Sequence, residues 1–221
     1  MRNNTAGHSA ALQPQDMVYL CEILARHGQE AALRSLLEDE DALDQILALE
    51  VVFRQVIESP AIVGISPQFY FMVVVRHVFN AAGVGSRPLN DYVAVMLARR
   101  VRRASDPTGD GEMPDYAVDV LERVQQARGR EEFAWWRSAG DHFLLLTGLF
   151  AEHLERRCER QGAPALDYYE EFGARSYRAA AEHPQARRTG LTEVLHDLSE
   201  KFAPARKALN VAAEEYLFLA N

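Results

Sequence analysis

Apolar residues return along this chain at intervals of three and four, with few alternating β-branched runs, which is the period of amphipathic helices. After Pro14, "DMVYLCEILARHG" places Val18, Cys21 and Leu24 or Ala25 on one face, and Gly28 is its stop. "EAALRSLLEDE" and "ALDQILALEVVFRQVIES" follow in the same way, the second ending at Ser59-Pro60. Ser66-Pro67 opens the next helix, since serine caps well and proline fits the first turn. That helix runs through "QFYFMVVVRHVFNAAG" to a stop at Gly83. Asn90 is the expected cap of "DYVAVMLARRVRRAS".

"SDPTGDGEMP", residues 105–114, is the clearest interruption, with two prolines and two glycines among acids. Beyond it lie "DYAVDVLERVQQARG" and "REEFAWWRSAG", and then the most apolar window of the chain, "GDHFLLLTGLF". The expected helix covers residues 141–160, capped by Asp141 and stopped by Gly162. Asp167 with Glu170 has the spacing of a capping box for the helix that ends at His183-Pro184. The last stretch reads as one helix kinked at Pro204, or two meeting there. The sum is an all-α fold, an orthogonal or up-and-down bundle of about nine helices. It is expected as a single domain over 16–221, with a flexible polar tail at 1–15 and the acidic Pro/Gly loop at 105–114.

Composition adds limits. The continuous apolar run Phe143–Phe150 is far short of the roughly 20 residues a bilayer span needs, so no membrane association is expected. The net charge of -8 opposes nucleic-acid binding, which relies on a positive field. Lys201 and Lys207 are the only lysines among 24 basic residues, a bias that reads as genomic base composition rather than selection for guanidinium chemistry. Cys21 and Cys158 stand far apart without metal or disulfide spacing, which fits a reducing cytoplasm.

Dinucleotide, nucleotide-loop, zinc-protease and serine-hydrolase signatures are absent. "DPTGDG" matches some positions of a calcium loop but puts Ala117 where the bidentate glutamate belongs. Glu193 and His196 have the ExxH spacing of di-iron bundles, yet the only companion is His27 with Glu30, reversed and interrupted by glycine. No metal site and no cofactor are expected. The basic run Arg99, Arg100, Arg102 and Arg103 fans around a helix end, where it complements the dipole.

Polar residues at core positions are more informative. Arg76 falls on the stripe of Phe69, Met72 and Phe79, where a guanidinium must find an acid or reach water along its stem. His77 shares a face with Tyr70. Tyr169, Gly173 and Tyr177 recur every four residues. A glycine inside a helix costs about 1 kcal/mol relative to alanine, so Gly173 and Gly148 imply that their two helices cross closely. The candidate ligand-binding set is Arg76, His77, Asp141, His142, Tyr169, Arg175 and Tyr177, convergent in a polar pocket, against which stands the simpler reading of a structural network. Trp135 and Trp136 point about 100° apart on a helix, one toward the core and one toward a partner. The leading expectation is a cytoplasmic helical interaction or regulatory protein that binds another macromolecule, a protein partner or itself. The alternative is a small-molecule-binding helical protein or enzyme, metal-dependent or not, with a polar pocket in the bundle.

Overall fold

A computed structural model describes residues 12–38, 42–58, 64–105, 117–162 and 164–217, and among them every regular element is a helix. Thirteen helices among these residues replace the nine expected, because several long periodic stretches are broken by short corners. The helices form two compact units, one within residues 8–107 and the other within 108–221. The "SDPTGDGEMP" loop and its calcium-like spacing fall beyond Ser105, outside the described residues, as does the polar tail up to residue 11.

The first unit holds α1 (Pro14–Arg26), α2 (Glu30–Glu38), α3 (Ala42–Leu47), α4 (Glu50–Glu58), α5 (Pro67–Ala81) and α6 (Arg87–Ser105). Gly28 and Gly83 adopt φ +66° and +68°, the left-handed conformation glycine supplies where a helix must stop. Ser66 caps α5 as expected, its hydroxyl accepting from the Phe69 N–H at 3.0 Å. The "MVVV" run is buried on all sides of α5, which packs most extensively on α6. In α6, residues 92–98 are likewise buried all round. Helix α6 starts at Arg87, so Asn90 lies inside its first turn and is buried rather than capping.

The other departures from expectation have local causes. The stretch after Ala42 is two helices, with the corner at Ala48-Leu49 closed by turn bonds to Gln45 and Ile46. In the second unit, α7 (Ala117–Gln126) precedes α8 (Arg130–Leu149), α9 (Ala151–Gln161) and α10 (Leu166–Glu182). The chain ends in α11 (Pro184–Thr189), α12 (Thr192–Glu200) and α13 (Phe202–Glu215). The apolar window is therefore the end of a helix that begins at Arg130, and a break at Phe150 (φ -127°, ψ 32°) separates it from α9. Thr147 donates back to the Phe143 carbonyl at 2.6 Å, a local bond of the kind that bends helices. Ala165, with no side-chain bond, occupies the cap position of α10, and Asp167 serves only as a first-turn acid. The tail is two helices that meet at Lys201, with Pro204 inside the first turn of α13, where it needs no hydrogen-bond donor.

Helix α10 lies between α8 and α12, and α13 packs against α8. Glycines make these approaches close. A Cβ at Gly140 would stand 2.5 Å from the Tyr177 ring of α10, and one at Gly148 would stand 2.7 Å from Leu209 Cβ of α13. A Cβ at Gly173 would meet the Phe202 ring and, at 3.1 Å, Phe143 Cβ. The expected α8–α10 crossing is present, but Gly140 and Gly173 form it, while Gly148 serves the crossing with α13.

Candidate functional site

The expected pocket residues divide between the two units. Arg76 and His77 belong to α5; Asp141 and His142 belong to α8; Tyr169, Arg175 and Tyr177 belong to α10.

In the first unit, Arg76 is 2% exposed, and each of its guanidinium nitrogens makes a hydrogen bond. Its Nε donates to Asp44 Oδ1 of α3 at 2.8 Å, its Nη1 to the Met72 carbonyl at 3.0 Å, and its Nη2 to Asp91 Oδ1 of α6. The side-chain accessibilities of Asp44 and Asp91 are 31% and 21%, so one buried cation joins three helices through two acids that keep an edge in water. A planar guanidinium is the group whose fork can serve three acceptors at once. Beside it, the His77 ring stacks on Phe53 of α4 with centroids 3.5 Å apart, and its Nδ1 stands 3.8 Å from Glu50 Oε2. Arg54 hydrogen-bonds Glu50 and holds that carboxyl below the usual carboxylate range, with His77 adding to the same effect. Tyr70 carries a phenol pushed up by burial.

A second buried polar cluster had no place in the expected set. Asp16 is fully buried and accepts from the Ser66 N–H and hydroxyl, both at 2.7 Å, and from the Gln13 N–H at 3.1 Å. One carboxylate thus satisfies donors at the starts of α1 and α5, where the helix dipoles favour negative charge. The sequence signal was an acid three residues after the cap position, but its partner lies 50 residues away.

In the second unit, Tyr177 is fully buried and donates to Asp141 Oδ1 at 2.9 Å. Gly140 makes the room: the ring lies where a side chain there would be, which carries the phenol to the next residue on α8. Asp141 therefore receives the phenol from the middle of a helix instead of capping one. Tyr169 stacks on Phe143 with centroids 5.8 Å apart, and Phe143 also meets Phe172 and the His142 ring. Arg175 points outward, 72% exposed, and pairs with Glu171 one turn away. Trp135 and Trp136 are both half-buried, with the Arg123 guanidinium 5.0 Å over the Trp135 ring.

Among the described residues no three histidine, cysteine or acidic side chains are grouped as metal ligands would be. Glu193 and His196 are both exposed on α12, and His27 and Glu30 stand at the end of one helix and the start of another. Arg99, Arg100 and Arg102 are exposed at the end of α6, and the Arg103 side chain lies outside the described residues. No described helix is long and apolar enough to cross a membrane. The chain matches no family model, no curated protein and no solved structure.

Proposed function

We propose that the protein is a helical interaction or regulatory protein, acting in the cytoplasm by binding another macromolecule or a second copy of itself. The observation that carries this reading is Phe150, a large aromatic residue 45% exposed at the corner between α8 and α9. Nothing in the backbone demands an aromatic there, and a half-exposed phenyl ring forgoes about half of the roughly 2 kcal/mol that full burial would supply. Tyr168 is exposed in the same unit, and Trp136 is half-buried; aromatic residues of this kind anchor interfaces.

The small-molecule reading is weaker for a chemical reason. A ligand needs polar groups left available, whereas each of the three guanidinium nitrogens of Arg76 already donates within the unit and Tyr177 is bonded to Asp141. The test places a photo-crosslinking amino acid at position 150 and, as control, at the exposed Glu152, with sedimentation velocity over a dilution series. The expected result is an adduct, to self or to a partner, that forms from 150 and not from 152. Equal labelling at the two positions, together with a strictly monomeric protein whose melting point rises with a metabolite, would replace this reading with the ligand-binding one.

A further inference from the structure

His183 lies at the corner between α10 and α11, and its side chain is the cap of α11: imidazole Nδ1 accepts from the Gln185 N–H at 3.1 Å. Serine, threonine, aspartate and asparagine are the usual caps. An imidazole can do the same work only while that nitrogen is unprotonated, because the imidazolium has hydrogens on both nitrogens and no acceptor. Its positive charge would also meet the positive end of the helix. The ring packs against Phe133 of α8, with centroids 5.7 Å apart.

From α8 the Arg137 guanidinium lies 5.9 Å over the same Phe133 ring. Glu182 at the end of α10, Arg187 and Arg188 of α11, and Glu193 and His196 of α12 are exposed. Among the described residues no carboxylate lies within 4.0 Å of the His183 nitrogens.

We propose that His183 is an acid-sensitive latch: as an unprotonated imidazole it ties the α10–α11 corner through Gln185, and protonation releases that tie. The released state lacks one cap bond and carries a cation at the helix start, so the corner opens locally while α8, α10 and α13 keep their packing.

The test follows the Gln185 amide in the full-length protein by NMR hydrogen exchange, corrected for the intrinsic pH dependence of exchange, from neutral to acidic pH. The imidazole nitrogen shifts are recorded alongside. Loss of a cap predicts a fall in Gln185 protection of roughly fivefold on acidification, with Nδ1 the unprotonated nitrogen at neutral pH. His183→Asn keeps a side-chain acceptor that does not titrate, so its Gln185 protection should hold steady over the same range. If the His183→Asn variant loses protection as the parent does, or if Nδ1 of the parent carries the hydrogen at neutral pH, the latch is overturned.

Discussion

Arg76→Met removes the cation that joins α3, α5 and α6, and its cost can be worked from the geometry. Breaking a fully buried ion pair by deleting one partner costs about 3–5 kcal/mol, because the remaining charge is stranded. Here the stranded groups are Asp44 and Asp91, which keep roughly a third and a fifth of their surface in water and can rehydrate in part. Methionine refills much of the volume, so the expected loss is about 2–4 kcal/mol. Arg76→Lys should fall between the two, since an ammonium cannot reach both acids and the Met72 carbonyl with one fork. The triple change Asp44→Asn, Arg76→Met, Asp91→Asn removes the repulsion between unpaired acids and should recover more than half of the loss. Urea unfolding followed by far-UV circular dichroism is the assay, with amide exchange in α5 as a local readout. Both tryptophans lie in the other unit, which makes fluorescence the wrong probe. A midpoint unchanged in Arg76→Met, or a loss below about 1 kcal/mol, would refute the claim that this network holds the unit together.

Gly140→Ala gains helix propensity but drives a methyl group into the Tyr177 ring, for a net loss of about 1–3 kcal/mol by thermal or urea unfolding. Asp16→Ala orphans the Ser66 and Gln13 donors and should cost at least as much as Ser66→Ala; equal stability of Asp16→Ala and the parent would discount the interlocked caps. The raised Tyr70 phenol means that the folded state retains its proton longer than the unfolded chain does. Its contribution is therefore complete below the ordinary tyrosine value of about 10 and is lost as pH rises through the folded-state value, a decline that Tyr70→Phe should lessen in alkaline urea titrations.

Helix ends written in local chemistry were readable from the chain: Ser66-Pro67, Gly28, Gly83, Gly162 and Pro184 each act within one turn of themselves. The need of Arg76 for an acid was also readable, because burial of a charge follows from the stripe it occupies. Which acids it meets was not, since Asp44 and Asp91 come from other helices and look like ordinary surface residues in their own segments. Phe150 escaped notice for a different reason. It has no glycine or proline beside it, and the helical period of α8 continues in register across it into α9. Gly140 was hidden because a glycine near a helix end and one beneath a tyrosine ring look alike until the opposing helix is placed. In the candidate site, sequence picked out the Asp141–Tyr177 partners but gave them different tasks, and it passed over Asp16 because a first-turn acid is commonplace.

The position of the Arg76 network along the chain bears on how the protein is made. Asp44, Arg76 and Asp91 all precede the second unit, and so do Asp16 and Ser66. During synthesis, N-terminal parts of a chain generally fold first. Arg76 emerges after Asp44 but before Asp91, so α5 reaches solvent with its cation half matched, and the completed match arrives only with α6. Once α6 is clear of the ribosome, the first unit can neutralise its buried charge before the helices of the second unit have all emerged. A translational pause that holds the chain after α6 has emerged would thus act on a segment already able to close its own electrostatics, whereas one that holds it with α5 out and α6 still in the tunnel would leave an incomplete ion network waiting for its second acid.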